Sequence, residues 1–328
     1  MRLVVGASPH IHHEENITIM MGDMLVALIP MVVMAGVYYG MRALLLIAIS
    51  MVSSLAFEYV YTRIYGKIAT IGDLSAVVTG VIIACNLPAT VPLWFPVAGA
   101  FFAIIIVKQL FGGIGRNVFN PALAAIVFLT VTWPGIMSVF PLPSKALSIF
   151  GSQEGYTTNE TVLSSLRQGL LPNVSYGELF WGSRAGCMGT CAALVILIAA
   201  LYLFYRRLIN WQIPVAFLGT VALFACIFPR TPASAGRPAA VLYELLSGSL
   251  LFIALFMATD PATGPISAFG RLAYGVLCGL LTVLIRRLGV FPEGAYFALL
   301  LVNPFSMPLD RLAWKLKVKK GELLDERK

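Results

Sequence analysis

Hydroxyl groups are the first chemistry this chain offers. The stretch Ser152–Asn173, SQEGYTTNETVLSSLRQGLLPN, gathers Thr157, Thr158, Thr161, Ser164 and Ser165 within a sequence that is otherwise oily. Such a cluster either carries a group on one hydroxyl or caps a helix by accepting from its first backbone N–H groups. A second stretch, WGSRAGCMGT (Trp181–Thr190), places Gly182, Ser183, Gly186, Gly189 and Thr190 at the opening of an apolar run. Amides at a helix start favour an anion such as a phosphate. A third, GGIGRNVFNPA (Gly112–Ala122), combines Gly112, Gly113 and Gly115 with the amide side chains of Asn117 and Asn120. Glycines let a backbone approach a ligand closely, and asparagines supply donors and acceptors. The spacing is not that of a dinucleotide fingerprint. The plainer reading is a tight turn between two spans.

Carboxylates are scarce, which makes each one a candidate. Asp23, Glu58, Asp73, Glu244, Asp260 and Glu293 lie in or beside apolar runs, together with Lys108. Ionisable groups at membrane depth are functional candidates by default, although a span end solvates a charge cheaply. Glu58 lies deepest, late in its run. Asp73 and Asp260 each adjoin a broken element, where a carboxylate beside freed carbonyls suits a sodium or proton path. A helix-end cap is the alternative. His10, His12 and His13 with Glu14 and Glu15 are metal-ligand types. No second cluster supports them, and they read as an amphiphilic tail. Cys187 and Cys191 alone cannot fill a tetrahedral metal site.

The elements that must position these groups are membrane helices. The 328 residues are 59% hydrophobic and 12% charged, against about 25% charged in soluble domains. The expected fold is an all-α integral membrane protein, one membrane domain over residues 1–328. The net charge of +8 does not point to nucleic acid, since much of it sits in the tail RLAWKLKVKK and in short loops, as at the inner face of a membrane. The first twenty residues lack the apolar core of a cleavable signal, so the first span is expected to target the chain.

Ten apolar segments are long enough to span, with short ones allowed where broken: 22–39, 41–62, 73–87, 93–111, 118–135, 187–205, 211–228, 241–259, 270–287 and 292–309. Residues 1–135 hold the first five, 136–186 form an outer loop, 187–310 hold the second five, and 311–328 form a basic cytoplasmic tail. With the N-terminus inside, the inner segments hold fifteen Lys and Arg and the outer ones eight. That bias puts both termini in the cytoplasm, although Arg286 and Arg287 run against it. NLPATVP (Asn86–Pro92) follows the third segment and TDPATGP (Thr259–Pro265) the eighth. Each leads to an Asn-Pro, at Asn120 and at Asn303. A five-span period forces the two halves to face opposite ways, giving two inverted five-helix repeats with broken helices.

Five motifs then fall in order: SPHI, GDLSAVVTG, IIIVKQLFGGIGRNVFNPA, MATDPATGP and FPEGAYFALLLVNPFSMPLDR. Together, from Ser8 to Arg311, they resemble the NqrB/RnfD family, whose members serve the Rnf complex and the sodium-pumping NADH:quinone oxidoreductase. The resemblance implies a ten-helix flavin-carrying subunit in a bacterial cytoplasmic membrane. It implies electron exchange between ferredoxin and NAD coupled to movement of sodium ions or protons. The expected partners are an iron–sulfur subunit, an NAD-binding subunit, a second flavinylated subunit, other membrane subunits and a flavin transferase.

In that family a flavin mononucleotide (FMN) is joined through its phosphate to an outer-loop threonine, within Asp, two residues, Ser or Thr, Gly, Ala, Thr. Here the register puts Thr158 at the Ser/Thr position and Thr161 at the attachment position. Gly155, Asn159 and Glu160 replace Asp, Gly and Ala, and the Glu160 charge opposes an incoming phosphate. The resemblance further implies a non-covalent riboflavin among the spans, for which Gly112 to Asn120 is the candidate edge. A flavin-free channel or transporter of the urea or ammonium type is the alternative reading of ten spans in an inverted repeat.

Overall fold

The computed structural model describes residues 17–65, 71–143, 147, 159–232 and 236–319, and these are all helical or irregular, without a strand. Thr158, the His10–Glu15 cluster and the end of the basic tail lie outside the described residues.

Helix α1 (Ile17–Tyr39) and helix α2 (Met41–Ile64) are joined by Gly40 alone, whose φ of 69° lets the chain reverse. At 1.5 Å per residue each is about 35 Å long, enough for a hydrocarbon core. Helix α1 buries Ala27, Leu28, Met31 and Ala35 yet exposes Val26, Ile29, Val33 and Val37. A helix that is apolar all round has hydrocarbon on its outer face. Helix α3 (Ser75–Cys85) ends at the NLPATVP break. Helix α4 (Trp94–Phe101) runs on as a π-helical stretch, Phe102–Gln109. Helix α5 (Pro121–Thr132) starts where the Asn120 side chain accepts from the Leu123 N–H and Pro121 presets the first turn.

The long connection carries three short helices, α6 (Pro134–Met137), α7 (Val162–Arg167) and α8 (Tyr176–Trp181). Then follow α9 (Ala193–Tyr205), α10 (Gln212–Ile227), α11 (Gly236–Leu246) and α12 (Leu250–Phe252), the last continuing as a π-helical stretch, Ile253–Met257. Helix α13 (Ala268–Leu288), helix α14 (Gly294–Val302) and helix α15 (Ser306–Lys319) are the last of the described helices.

Each of the ten predicted segments contains a helix, but their lengths differ from expectation. By length and composition α1, α2 and α13 suffice to cross a membrane singly, with α11 and α12, bent by 65°, a fourth if they form one span. The others are apolar but shorter because their segments include breaks. The NLPATVP break is held by Arg42, which is 1% exposed and donates to the carbonyls of Ala89 (2.8 Å), Thr90 (3.3 Å) and Val91 (3.0 Å). Freed carbonyls are tolerated at membrane depth when protein groups satisfy them in this way. The sixth segment begins at Ala193 rather than at Cys187. The N–H groups of Met188 and Gly189 instead donate to the Leu87 and Cys85 carbonyls at the end of α3.

The packing of the two halves corresponds. Helix α2 packs on α3 and α4, and α10 on α11 and α13; α5 packs on α4, and α14 on α13. Across the halves α1 meets α9 and α5 meets α14. Small residues permit the close approaches. A Cβ on Gly80 of α3 would lie 2.8 Å from the Ser50 carbonyl of α2, and one on Gly275 of α13 would lie 2.7 Å from the Ile213 carbonyl of α10. One hydrophobic core runs through both halves.

Candidate functional site

Helix α7 exists because Thr161 caps it. The Thr161 Oγ1 accepts from the Ser164 N–H at 3.3 Å and donates to the Ser164 Oγ at 3.2 Å. Val162 and Leu166 bury this short helix against Leu179 of α8 and against Ala239 and Tyr243 of α11. Docked there, Thr161 lines a cavity with Arg184, Gly186, Thr190, Ser249 and Glu293. Arg184 is 5% exposed and donates to the carbonyls of Cys191 (3.3 Å) and Gly248 (3.2 Å). The Thr190 and Ser249 hydroxyls are 3.0 Å apart, and the Ser249 N–H donates to the Glu293 carboxylate at 3.1 Å. Glu160 points to the exterior, where solvent screens its charge.

A second cavity shares Phe140, Cys187, Pro292 and Glu293 with the first as lining. Its wall includes Phe291, Tyr296 and Phe297. The Phe291 and Phe297 rings stack with centroids 5.0 Å apart. A hydroxyl and a buried guanidinium thus line one space, and an aromatic wall lines its neighbour. These donor types fit a phosphorylated aromatic cofactor esterified at Thr161.

The expected row of phosphate-binding amides is not presented. The Gly182 and Ser183 N–H groups close the end of α8 on the Glu178 carbonyl at 2.8 and 3.0 Å. The Gly189 N–H reaches the Cys85 carbonyl at 2.8 Å, and the Thr190 N–H the Cys187 carbonyl at 3.4 Å. Gly186 and Thr190 reach the cavity as lining. Gly182, Ser183 and Gly189 serve local packing. A Cβ on Gly189 would sit 2.5 Å from the Cys85 Cβ. The buried cation lining this cavity is Arg184, which is not among the candidates drawn from sequence. Its signal is present there, as the one charged residue in WGSRAGCMGT.

A third cavity lies between the halves, lined by Ser75, Lys108, Asn117, Asn120, Thr259 and Asp260 among others. The Asn120 Nδ2 donates to the Asp260 Oδ2 at 3.1 Å. Asp260 also accepts from the Ala262 N–H and the Thr263 hydroxyl, each at 3.2 Å. The Asn117 Oδ1 is buried with no hydrogen-bond partner among the described residues. Asn117 and Asn120 thus both line this cavity. Gly112 and Gly113 do not line it. With φ of 108° and 95°, they fold their N–H groups back onto the Gln109 and Lys108 carbonyls as the tight turn.

Glu58 and Asp73 belong to one polar line. The Lys108 Nζ donates to the Glu58 Oε1 at 2.7 Å and to the Ser75 Oγ at 2.6 Å, and the Ser75 Oγ donates to the Asp73 Oδ1 at 2.5 Å. Lys108 and Glu58 are 2% and 0% exposed. Asp73 also takes the Ser75 N–H at 2.9 Å, securing the first turn of α3. Lys108 and Ser75 share the third cavity with Asp260.

A profile of the NQR2, RnfD, RnfE family matches residues 4–319. The chain belongs to this family. It is 39% identical to the RnfD subunit of the Na(+)-translocating ferredoxin:NAD(+) oxidoreductase complex of Acetobacterium woodii, over 95% of this chain and 93% of that one. It is 32% identical to the RnfD subunit of the proton-translocating ferredoxin:NAD(+) oxidoreductase complex of Clostridium ljungdahlii, over 95% of each. The corresponding subunit of the ion-translocating oxidoreductase complex of Aliivibrio salmonicida is also 32% identical, over 92% of this chain and 94% of that one. Family membership thus spans subunits named for two different ions. The family match covers Thr161, Arg184 and Asp260 alike.

Proposed function

We propose that the chain is the flavin-carrying membrane subunit of an ion-translocating ferredoxin:NAD oxidoreductase complex of the Rnf type. It passes electrons and couples their passage to transport of sodium ions or protons. It works with iron–sulfur, NAD-binding, second flavinylated and further membrane subunits, and is not a complete enzyme alone. The observation that carries this reading is the Thr161 hydroxyl at the wall of a cavity that also holds the buried Arg184. An FMN phosphate esterified at Thr161 by a flavin transferase takes the Arg184 charge as its counterpart. Its ring takes the adjoining slot of Phe291, Tyr296 and Phe297. When bound, the flavin supplies the electron transfer, and the protein supplies position and electrostatics. Riboflavin takes the third cavity, beside Asn117 and Asn120.

The ion path proposed here runs by Asp260 and the Glu58–Lys108–Ser75–Asp73 line, of which Lys108 and Ser75 face the cavity that Asp260 also lines. Ten spans in two inverted repeats are supported by the corresponding packing of the halves. They are supported also by the meeting of equivalent residues. With its amide oxygen turned inward, Asn303 accepts from the Asn120 N–H at 3.1 Å. Equivalent residues meet where a pseudo-two-fold axis passes. Placement in the cytoplasmic membrane with both termini cytoplasmic is supported by the burial of outer basic residues. Arg42, Arg184 and Arg286 are buried and Arg230 is ion-paired, so the outer surface is less basic than the residue count suggests.

The test is the mass of the peptide containing Thr161, from the chain made with its transferase. An added FMN lacking the elements of water is expected. An unmodified peptide together with no flavin absorption in the purified chain would return it to the channel or transporter reading.

A further inference from the structure

The ends of α10 and α13 frame a narrow charged cleft that the flavin and ion path leave unused. It is lined by Val221, Ala225, Arg230, Glu244, Val283, Arg286 and Arg287. The Glu244 carboxylate is shared between two arginines. Its Oε1 lies 2.5 Å from the Arg230 Nε, and its Oε2 lies 2.9 Å from the Arg286 Nη1. Arg286 is 1% exposed, yet its Nε and Nη2 have no hydrogen-bond partner among the described residues, and neither does the Arg230 Nη2. The Arg286 Nη2 is 3.7 Å from Glu293, beyond hydrogen-bonding range. Buried guanidinium donors left unmatched are costly, and an anion removes the cost.

Charge and surroundings say which anion. Three arginines, 230, 286 and 287, meet two glutamates, 244 and 293, so one positive charge is in excess. Guanidinium forks match the oxygens of a tetrahedral oxyanion better than a spherical ion. The surface flanking the mouth is apolar and exposed: Leu223, Ile227 and Phe228 beside α10, and Leu284 and Leu288 on α13. Arg287 stands at that rim with its guanidinium 5.8 Å from the Phe228 ring centre and donating to the Phe228 carbonyl. Exposed apolar side chains around a basic pocket at a helix end are the setting of a headgroup held at the membrane interface.

We propose that Arg230 and Arg286 form a binding site for a phosphate-class monoanion, the phosphodiester of a membrane phospholipid whose acyl chains lie along Leu223, Ile227 and Leu284. The test uses the assembled complex in an uncharged maltoside detergent. Dihexanoylphosphatidylglycerol is titrated while thermal unfolding and native mass are followed, with dihexanoylglycerol and inorganic phosphate as separate arms. A saturable rise in unfolding temperature and a phospholipid adduct are expected. Both Arg230→Gln and Ala225→Leu should weaken binding by about tenfold or more. Ala225→Leu fills the cavity without altering any charge, so it reports even if Arg230→Gln folds poorly. A response to inorganic phosphate alone would keep the anion site and assign it to free phosphate. An equal response to dihexanoylglycerol, or unchanged binding in Ala225→Leu, would overturn the proposal.

Discussion

The Asn120 amide donates to the Asp260 carboxylate at 3.1 Å, joining positions 140 residues apart in sequence. A matching contact crosses the other way, from the Tyr296 hydroxyl on α14 to the Asn86 side chain at 2.8 Å. Each half thus reads the other half's chain break with a residue from its own final helix region.

Asp260→Asn keeps the shape and removes the charge. Coupled ion transport in vesicles is expected to slow more than reduction of the bound flavin. Asn120→Ala removes one donor to a charged acceptor and should destabilise the fold by about 1.5–3 kcal/mol. Equal rates of coupled turnover in Asp260→Asn and the unmodified chain would leave Asp260 as a turn-forming cap.

The Glu58–Lys108 pair gives a sharper stability prediction. Both side chains are buried, so removing one leaves an uncompensated charge, at a cost of about 3–5 kcal/mol. Glu58→Gln and Lys108→Met should each lower the unfolding temperature markedly, and the double variant should recover most of the loss. Additive losses in that cycle would mean that the two groups are not coupled.

Much of this is legible in the residues. The ten apolar runs mark ten helical segments. Asp260 stands out because it neighbours a Pro-rich break. Thr161 stands out once the family pattern is laid on a hydroxyl-rich stretch. What stays hidden depends on pairing across distance. Arg42 reads as an ordinary loop charge, yet it is the residue that satisfies the NLPATVP carbonyls. Arg286, which runs against the charge bias, is buried in an ion pair and adds little to the surface charge. The start of α9 is not legible either, since the residues before it pair with α3, far away in sequence.

Orientation is open to direct labelling. Leu171 is 52% exposed in the long connection. A cysteine placed there, in a chain whose own five cysteines are replaced, should react with a membrane-impermeant maleimide from outside intact cells. A cysteine at exposed Tyr205 should be protected. The reverse pattern would invert the topology and remove the flavin proposal with it.

Gly182 separates scaffold from cofactor. Its φ is 92°, and a Cβ there would lie 2.6 Å from the Ala192 backbone. Gly182→Ala should therefore reduce the amount of folded chain, by both strain and overlap. Whatever chain does fold should still be flavinylated, because the Gly182 amide closes α8 rather than holding phosphate. Normal amounts of folded but flavin-free chain would give Gly182 a direct role in cofactor binding.

Thr161 has two jobs that substitutions can separate. A phosphoester needs its hydroxyl, while the α7 cap needs only an acceptor. Thr161→Val removes both, and the lost cap alone costs about 1 kcal/mol. Thr161→Asn keeps a cap and offers no hydroxyl, so α7 should stay docked while the ultraviolet-fluorescent band on a denaturing gel disappears. Thr161→Ser keeps both, and its band should persist if the transferase accepts serine. Thr158→Val should retain the band, and Asn159→Gly with Glu160→Ala should strengthen it by removing bulk and charge near the acceptor. Arg184→Gln should weaken non-covalent retention of FMN without touching the ester-forming atom. A band that survives in Thr161→Asn would move the anchor to a neighbouring hydroxyl, with Thr158 the next candidate.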